Sequence, residues 1–223
     1  DTLFGNVRSL KPRRCPTTTM FSKAALALLS GFVTSCVASQ APNCPPCGSG
    51  QPQLSQAEAQ QQLDLHNQFR HAVHGTADHD LEWNCDLMCQ AQVVGDTCTF
   101  QHSGSYGSAI QAGENLATGT DGELAAWLWF QEYVDYDVPQ YKSGVGHYTA
   151  MVWKNTGWLG CGVCRTPSAG QRTIYVCQYA NGPSNFGFQG TNYYEENAPI
   201  FQGTRQQYNT GGITEATVLQ QLE

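Results

Sequence analysis

The sequence predicts a mixed α/β domain in which helices pack against a small sheet. Helical patterns cover residues 55–75 and 84–94 and recur after residue 120, while two short β-type runs lie between residues 159 and 180. Helices that bracket a few strands imply layers packed around one core. Hydrophobic residues make up 40% of the 223-residue chain, which is sufficient to build such a core.

The first helix is predicted to begin after Ser55, because Glu58 stands where a capping box requires an acid. The helical pattern ends near Gly75, a residue type that often terminates helices. A second helix is expected over residues 84–94 and a third over residues 122–136.

The remaining elements are shorter. The segment His147 to Trp153 fits a helix or a strand equally well by its periodicity. Residues 159–165 and 173–180 are predicted strands, joined by a turn at residues 167–170 that contains Pro and Gly.

The first 38 residues are predicted to be absent from the mature protein. Met20, Lys23 and a short apolar run at 24–37 are typical of a secretory signal, which leaves residues 1–19 as an upstream extension. The run is too short to span a bilayer comfortably, so no transmembrane segment is predicted. An alternative is lipid anchoring through Cys36, because the residues before it resemble a bacterial lipobox.

Four regions follow from this reading: an upstream extension and signal at 1–38, a Pro/Gly/Cys-rich arm at 39–53, the folded domain at 54–200 and a polar, flexible tail at 201–223. Removing residues 1–38 takes away one acid and five bases, which leaves six bases and seventeen acids and a net charge of −11. So acidic a chain is a poor candidate for binding nucleic acid.

The eight cysteines after residue 38 are expected to form disulfides, as is usual for an even number behind an export signal. Cys85 and Cys89 lie four residues apart and therefore share one face of the second helix. Their pairing with Cys44 and Cys47 would pin the N-terminal arm to that helix. The cysteines concerned are Cys44, Cys47, Cys85, Cys89, Cys98, Cys161, Cys164 and Cys177.

Four motifs stand in order along the chain. They are HNQFR at 66–70, GENL at 113–116, GHYTAMVWKNT at 146–156, and YVCQY at 175–179 with Pro183 and Asn185 after it. On these motifs residues 55–199 resemble the CAP superfamily of cysteine-rich secretory, venom-antigen and pathogenesis-related proteins. The Golgi-associated plant pathogenesis-related branch has especially similar motifs. The resemblance implies a three-layer α-β-α sandwich stabilised by disulfides.

The resemblance also implies a cleft with two histidines and two acids. The matching residues here are His102, Glu114, Glu132 and His147. Relatives can hold a divalent metal there through the imidazoles, so Zn²⁺ or a similar cation is the expected cofactor. A hydrogen-bonded structural cluster and a catalytic site are the two alternatives. The resemblance further implies the disulfides Cys98–Cys161 and Cys164–Cys177.

Three tyrosines suggest a ligand. Tyr133, Tyr136 and Tyr141 resemble the caveolin-binding-like loop of sterol-binding relatives. We therefore expect an extracellular, non-enzymatic protein that binds a sterol or another lipid in an aromatic-lined cleft. One alternative is a metal-dependent hydrolase, a protease with Glu114 and Glu132 as catalytic groups, although HExxH and GxSxG motifs are absent. Another is a defence- or venom-type module whose partner is a protein.

Overall fold

A computed structural model describes residues 40–48, 52–104, 113–165, 167, 172–182 and 193–203. The predicted signal, the lipobox with Cys36 and nearly all of the polar tail lie outside these ranges. Pro183 and Asn185 of the last motif, and most of the predicted turn at 167–170, also lie outside them.

The described residues contain the predicted helices and strands together with several short elements. The helices are α1 (Gln56–His74), α2 (Cys85–Asp96), α3 (Gly122–Gln131), α4 (Gly146–Val152) and α5 (Tyr193–Asn197), and a 3-10 turn (Glu132–Asp135) follows α3. The strands are β1 (Glu82–Trp83), β2 (Gly113–Thr118), β3 (Trp158–Val163) and β4 (Ile174–Ala180). The segment that periodicity left undecided is therefore helix α4.

The strands form one sheet in the order β1-β3-β4-β2, with β1 parallel to β3 and the other pairs antiparallel. Alternate residues of β4 face different layers. Tyr175, Cys177 and Tyr179 pack with α1, α3 and α4, whereas Ile174 and Val176 pack with α2. The expected three-layer α-β-α sandwich is thus confirmed.

Two glycines of β3 let α2 approach the sheet closely. A Cβ atom on Gly160 would lie 2.2 Å from the backbone nitrogen of Met88, and one on Gly162 would lie 2.4 Å from Gln92. Any side chain at either position would therefore push the helix away from the sheet.

The predicted capping box starts α1. The Glu58 backbone N–H donates to the Ser55 hydroxyl at 3.3 Å, and the Ser55 backbone N–H donates to the Glu58 carboxylate at 2.8 Å. The helix ends at Gly75, whose φ of 68° is readily adopted by a residue without a Cβ.

The buried guanidinium of Arg70 in α1 joins that helix to the end of α4. Its five N–H donors meet five backbone carbonyls, which is the full donor capacity of an arginine. The carbonyls are those of His79 (2.6 Å), Met151 (3.0 Å), Trp153 (2.8 Å), Lys154 (3.3 Å) and Thr156 (3.1 Å). The cation therefore fixes the C-terminal end of α4 and the turn that leads into β3.

Two disulfides pin the N-terminal arm to α2, as the helical spacing indicated. They join Cys44 to Cys85 and Cys47 to Cys89. Both bridges leave one face of α2, because their helical members are one turn apart.

The two disulfides implied by the family resemblance are wrong in their pairing. The structure joins Cys98 to Cys164 and Cys161 to Cys177. Cys161 and Cys177 are directly opposed in the register of β3 and β4, with Cα atoms 4.1 Å apart. Cys164 lies an odd number of residues later and packs on the α2 side, where Cys98 follows that helix.

Acid should destabilise the fold through His66. Burial lowers the pKa of this histidine to about 4, below the value of about 6.5 in an unfolded chain. As the pH falls from about 6.5 towards 4, the histidine takes up a proton in the unfolded state before it does so in the folded state, so the free energy of unfolding should decrease. We expect His66 to contribute a loss of about 2 kcal/mol between pH 7 and pH 5, to which His74 adds because burial lowers its pKa to about 4 as well, and urea unfolding at the two pH values measures the sum. Equal stability at the two pH values would contradict this account of His66.

Candidate functional site

The structure brings each predicted histidine of the site together with one predicted acid. Nδ1 of His102 lies 2.9 Å from Oε1 of Glu114, and Nδ1 of His147 lies 2.6 Å from Oε1 of Glu132. Because an ionised carboxylate only accepts hydrogen bonds, Nδ1 of each ring must carry the hydrogen. In a neutral ring Nε2 then holds the lone pair that could bind a ligand.

Glu114 of β2 is a buried acceptor with three donors around it. The Ser103 backbone N–H donates to Oε1 at 2.8 Å, and the Gln178 amide donates to Oε2 at 2.8 Å. Burial alone would raise the pKa of Glu114, but hydrogen bonds from Gln178, Ser103 and His102 more than offset it and lower the pKa. The Glu114 side chain is 1% exposed and the His102 side chain 49% exposed, so the imidazole is the group that reaches solvent.

Sequence reasoning did not include Gln178 in the site. It lies inside the YVCQY motif, yet the motif does not say what its side chain contacts. The register of the sheet does show this contact, because Gln178 of β4 is the Cα partner of Glu114 on the neighbouring strand. Only the strand pairing could have revealed the contact.

Glu132 caps helix α4 from outside that helix. Its Oε2 accepts from the backbone N–H groups of His147 (2.8 Å) and Tyr148 (3.2 Å). The residue in the N-cap position, Val145, offers no side-chain acceptor. The carboxylate at the end of α3 therefore replaces the missing cap, while its other oxygen holds the His147 ring.

Asn115 holds the other side of His147. Its Nδ2 donates to the His147 carbonyl at 3.0 Å. Asn115 directly follows Glu114 in β2, so two adjacent residues of one strand support the two halves of the site. The predicted members of the site are thus organised as two imidazole–carboxylate pairs, and a residue of β2 takes part in or contacts each pair.

Of the four predicted residues, the two histidines carry the groups whose chemistry suits a metal ion. Within the described ranges, no group of three or more His, Cys, Asp or Glu side chains is arranged to hold a cation. The two carboxylates accept hydrogen bonds at both oxygens, which makes them supports for the imidazoles rather than ligands. A carboxylate on the far nitrogen of a histidine is the usual support of a metal-binding imidazole. The imidazoles, rather than the carboxylates, are therefore the groups that could hold an ion.

The three predicted lipid-binding tyrosines lie in three different environments. Tyr136 is 2% exposed and its hydroxyl donates to the Ala198 carbonyl at 2.8 Å. Tyr133 is partly buried, with its ring 4.8 Å from that of Phe201. Tyr141 is 74% exposed. The three side chains therefore do not share one exposed surface, because Tyr136 turns inward to the Ala198 carbonyl, and their role in lipid binding stays a prediction.

A cavity of about 430 Å³ lies between the N-terminal arm and the start of α1. Pro42, Leu54, Met88 and Arg165 are among the residues that line it. None of the predicted metal or lipid residues borders it, so it is separate from the two imidazole–carboxylate pairs.

Comparisons with known proteins agree with this architecture. Residues 63–179 match the family described as the cysteine-rich secretory protein family. The chain is 39% identical over 130 residues to Cysteine-rich secretory protein 1 of Mus musculus, covering 52% of each chain. It is 33% identical over 163 residues to Cysteine-rich secretory protein 2 of Homo sapiens, covering 67% of this chain and 64% of that one. The chain therefore spans only about half to two thirds of the length of these curated relatives.

Solved structures agree in fold, and Na-ASP-1 is one of them. The crystal structure of Na-ASP-1 superposes with a TM-score of 0.54 at 22% sequence identity, covering 81% of this chain and 50% of that one. At this level of identity the likeness concerns the fold alone.

The capping role of Glu132 predicts different outcomes for two substitutions. Glu132→Ala removes the acceptor for both N–H groups of α4 and should lower the free energy of unfolding by about 1 kcal/mol. Glu132→Gln keeps a carbonyl oxygen that can cap the helix, so the free energy of unfolding should fall by less than in Glu132→Ala. The glutamine NH₂ group cannot accept a hydrogen bond, however, so Nδ1–H of His147 loses its acceptor. Urea unfolding measures the first effect, and NMR of the His147 ring measures the second. Equal stability of Glu132→Ala and the unmodified protein would contradict the cap.

Proposed function

The chain belongs to the cysteine-rich secretory protein family, and from this premise we propose that it is a secreted binding protein, without enzymatic activity, whose ligand is a sterol or another lipid. Secretion is supported by the disulfides, because every cysteine in the described ranges is bridged. None of the helices in those ranges is long and apolar enough to cross a membrane.

The observation that carries lipid binding is a short exposed apolar segment after α3. Val134, Val138 and Tyr141, which we call the apolar edge, are 44%, 40% and 74% exposed. They are three of the six large hydrophobic side chains that are exposed in the described part of the chain. Concentrated exposed apolar groups are typical of a binding surface, and an apolar ligand that covers them gains about 25 cal/mol per Å² buried.

Aromatic residues that stand between members of the apolar edge, or next to it, in sequence are packed against the core. Tyr133 contacts Phe130 and Phe201, with ring centroids 5.3 Å and 4.8 Å apart. Tyr136 packs against Tyr148 at 5.3 Å. The stretch of chain that carries the apolar edge is therefore anchored in the core at Tyr133 and Tyr136, so a ligand that docks there does not have to order it.

A second candidate function is binding of a divalent cation by His102 and His147. The observation in its favour is that each imidazole is already oriented by a carboxylate on Nδ1. Zn²⁺ suits nitrogen ligands of this kind, and a bound ion would supply a Lewis acid. This candidate is independent of the apolar edge and can be tested separately.

The hydrolase alternative has weaker support from the geometry. Its proposed catalytic groups, Glu114 and Glu132, each accept three hydrogen bonds, Glu114 from an imidazole, a backbone N–H and an amide, and Glu132 from an imidazole and two backbone N–H groups. Three of the roughly four lone-pair positions of each carboxylate are therefore occupied, which leaves little capacity to accept a hydrogen bond from a water that the group would activate. A defence- or venom-type interaction module remains the outcome if neither a lipid nor a metal is bound.

Sterol binding should depend on the apolar edge and not on the imidazoles. The double variant Val138→Ser with Tyr141→Ala removes two exposed apolar groups and should weaken binding of radiolabelled cholesterol about tenfold or more. His147→Ala should bind as the unmodified protein does. Val93→Ser is a matched control, because Val93 is 62% exposed but lies on α2.

Three outcomes are distinguishable in this assay. Loss of binding in the double variant alone supports the proposal. Equal loss in the Val93→Ser control would show that adsorption is not specific to the edge. No saturable binding by the unmodified protein, together with chelator-sensitive peptide cleavage that His147→Ala abolishes, would replace the lipid proposal with the hydrolase.

A further inference from the structure

A buried chain of hydrogen bonds runs from α1 to the backbone of His147. His66 Nδ1 lies 2.8 Å from the Gln62 carbonyl, and His66 Nε2 lies 3.0 Å from the Tyr179 hydroxyl. Nδ2 of Asn115 lies 3.0 Å from that hydroxyl and 3.0 Å from the His147 carbonyl. His66 and Tyr179 are fully buried and Asn115 nearly so. We call His66, Tyr179 and Asn115 the buried relay.

Each hydrogen bond of the buried relay has only one allowed direction. The Gln62 carbonyl can only accept, so Nδ1 of His66 carries the hydrogen and Nε2 of the neutral ring accepts. The Tyr179 hydroxyl must then donate to His66. Its oxygen is left to accept from Asn115, and the second N–H of the same amide donates to the His147 carbonyl.

The neutral state of the relay follows from its burial. Burial lowers the pKa of His66 and raises the pKa of the Tyr179 hydroxyl, so both stay neutral around pH 7. The direction of the hydrogen bonds is therefore fixed by geometry under ordinary conditions.

This direction decides which way the Asn115 amide points. If the Tyr179 hydroxyl donated to Asn115 instead, the amide oxygen would face the hydroxyl and an N–H would be lost from the relay. Because the lone pair of His66 takes the hydroxyl hydrogen, the amide presents its NH₂ group to Tyr179 and to His147 together.

We propose that Asn115 is a positioning residue for His147, and that Tyr179 and His66 act by holding the Asn115 amide in its orientation. Glu132 binds the N–H of His147 and Asn115 binds its carbonyl, so the peptide groups on both sides of this residue are held by other elements. The His147 ring can then meet Oε1 of Glu132. The inference deepens the metal-binding candidate and rests on it for its functional meaning.

If the buried relay had a purely structural role, its removal would have a different effect. If the relay only stabilised the core, its loss would lower the free energy of unfolding without a selective effect at His147. Tyr136→Phe provides the matched control, because Tyr136 is also a buried tyrosine whose hydroxyl donates a hydrogen bond, in this case to Ala198. Tyr179→Phe removes the same group from the relay.

The experiment compares amide hydrogen exchange and the His147 ring signals by NMR in the unmodified protein, Tyr179→Phe and Tyr136→Phe. Exchange at His147 and Tyr148 is divided by exchange at α2 amides, which removes the effect of global stability. We expect this ratio to rise at least about tenfold in Tyr179→Phe, with loss of the hydrogen-bonded Nδ1–H signal of His147. Tyr136→Phe should leave both unchanged. An unchanged ratio and an unchanged ring signal in Tyr179→Phe would overturn the proposal.

Two further measurements complete the test. If Tyr179→Phe does not fold, the tautomer of His66 in the unmodified protein tests the proposal instead. The buried relay requires the hydrogen on Nδ1 of His66, so a hydrogen on Nε2 would overturn the proposal. Titration with Zn²⁺ alone should show weaker uptake by Tyr179→Phe than by Tyr136→Phe. If the unmodified protein takes up no Zn²⁺, the metal candidate fails, while the exchange ratio still decides whether Asn115 positions His147.

Discussion

The rest of the structure depends on the burial of one cation, Arg70, among five backbone carbonyls. A buried charge or an unpaired carbonyl would each be costly, so the guanidinium and the carbonyls stabilise one another only when the segments at 79 and 151–156 are in place. Burial lowers the pKa of Arg70 to about 9, which leaves it charged at neutral pH. Helix α4 has only seven residues and could not persist on its own. Arg70 therefore fixes the C-terminal end of α4.

The candidate site follows from the same constraint. Arg70 holds the C-terminal end of α4, Glu132 holds its first N–H groups, and Asn115 holds the carbonyl of His147. Glu114 accepts a hydrogen bond from the His102 ring, and Gln178 on the neighbouring strand donates a hydrogen bond to Glu114. The two carboxylates therefore fix the orientation of both histidine rings. The apolar edge lies close in sequence, since it begins two residues after Glu132.

The sequence predicted what local chemistry determines. The cap of α1 was predictable from Ser55 and Glu58, and the arm disulfides were indicated by the helical spacing of Cys85 and Cys89. Features set by strand register were not predictable. The alternation of β3 sends Cys161 and Cys164 to different faces, which the family resemblance did not convey. The identity of α4 as a helix, the burial of Tyr136 and the role of Gln178 likewise depend on contacts with distant residues.

The most direct test of this account is the stability of Arg70→Lys measured by urea unfolding. Lysine keeps the charge but has three donors, so at least two buried carbonyls lose their partners. The account predicts a loss of about 3 kcal/mol or more, together with faster amide exchange in α4. Arg165→Lys is the control, because its exposed ion pair with Glu58 should contribute about 1 kcal/mol or less. Small and equal losses in the two variants, with α4 still protected, would contradict the central role of Arg70.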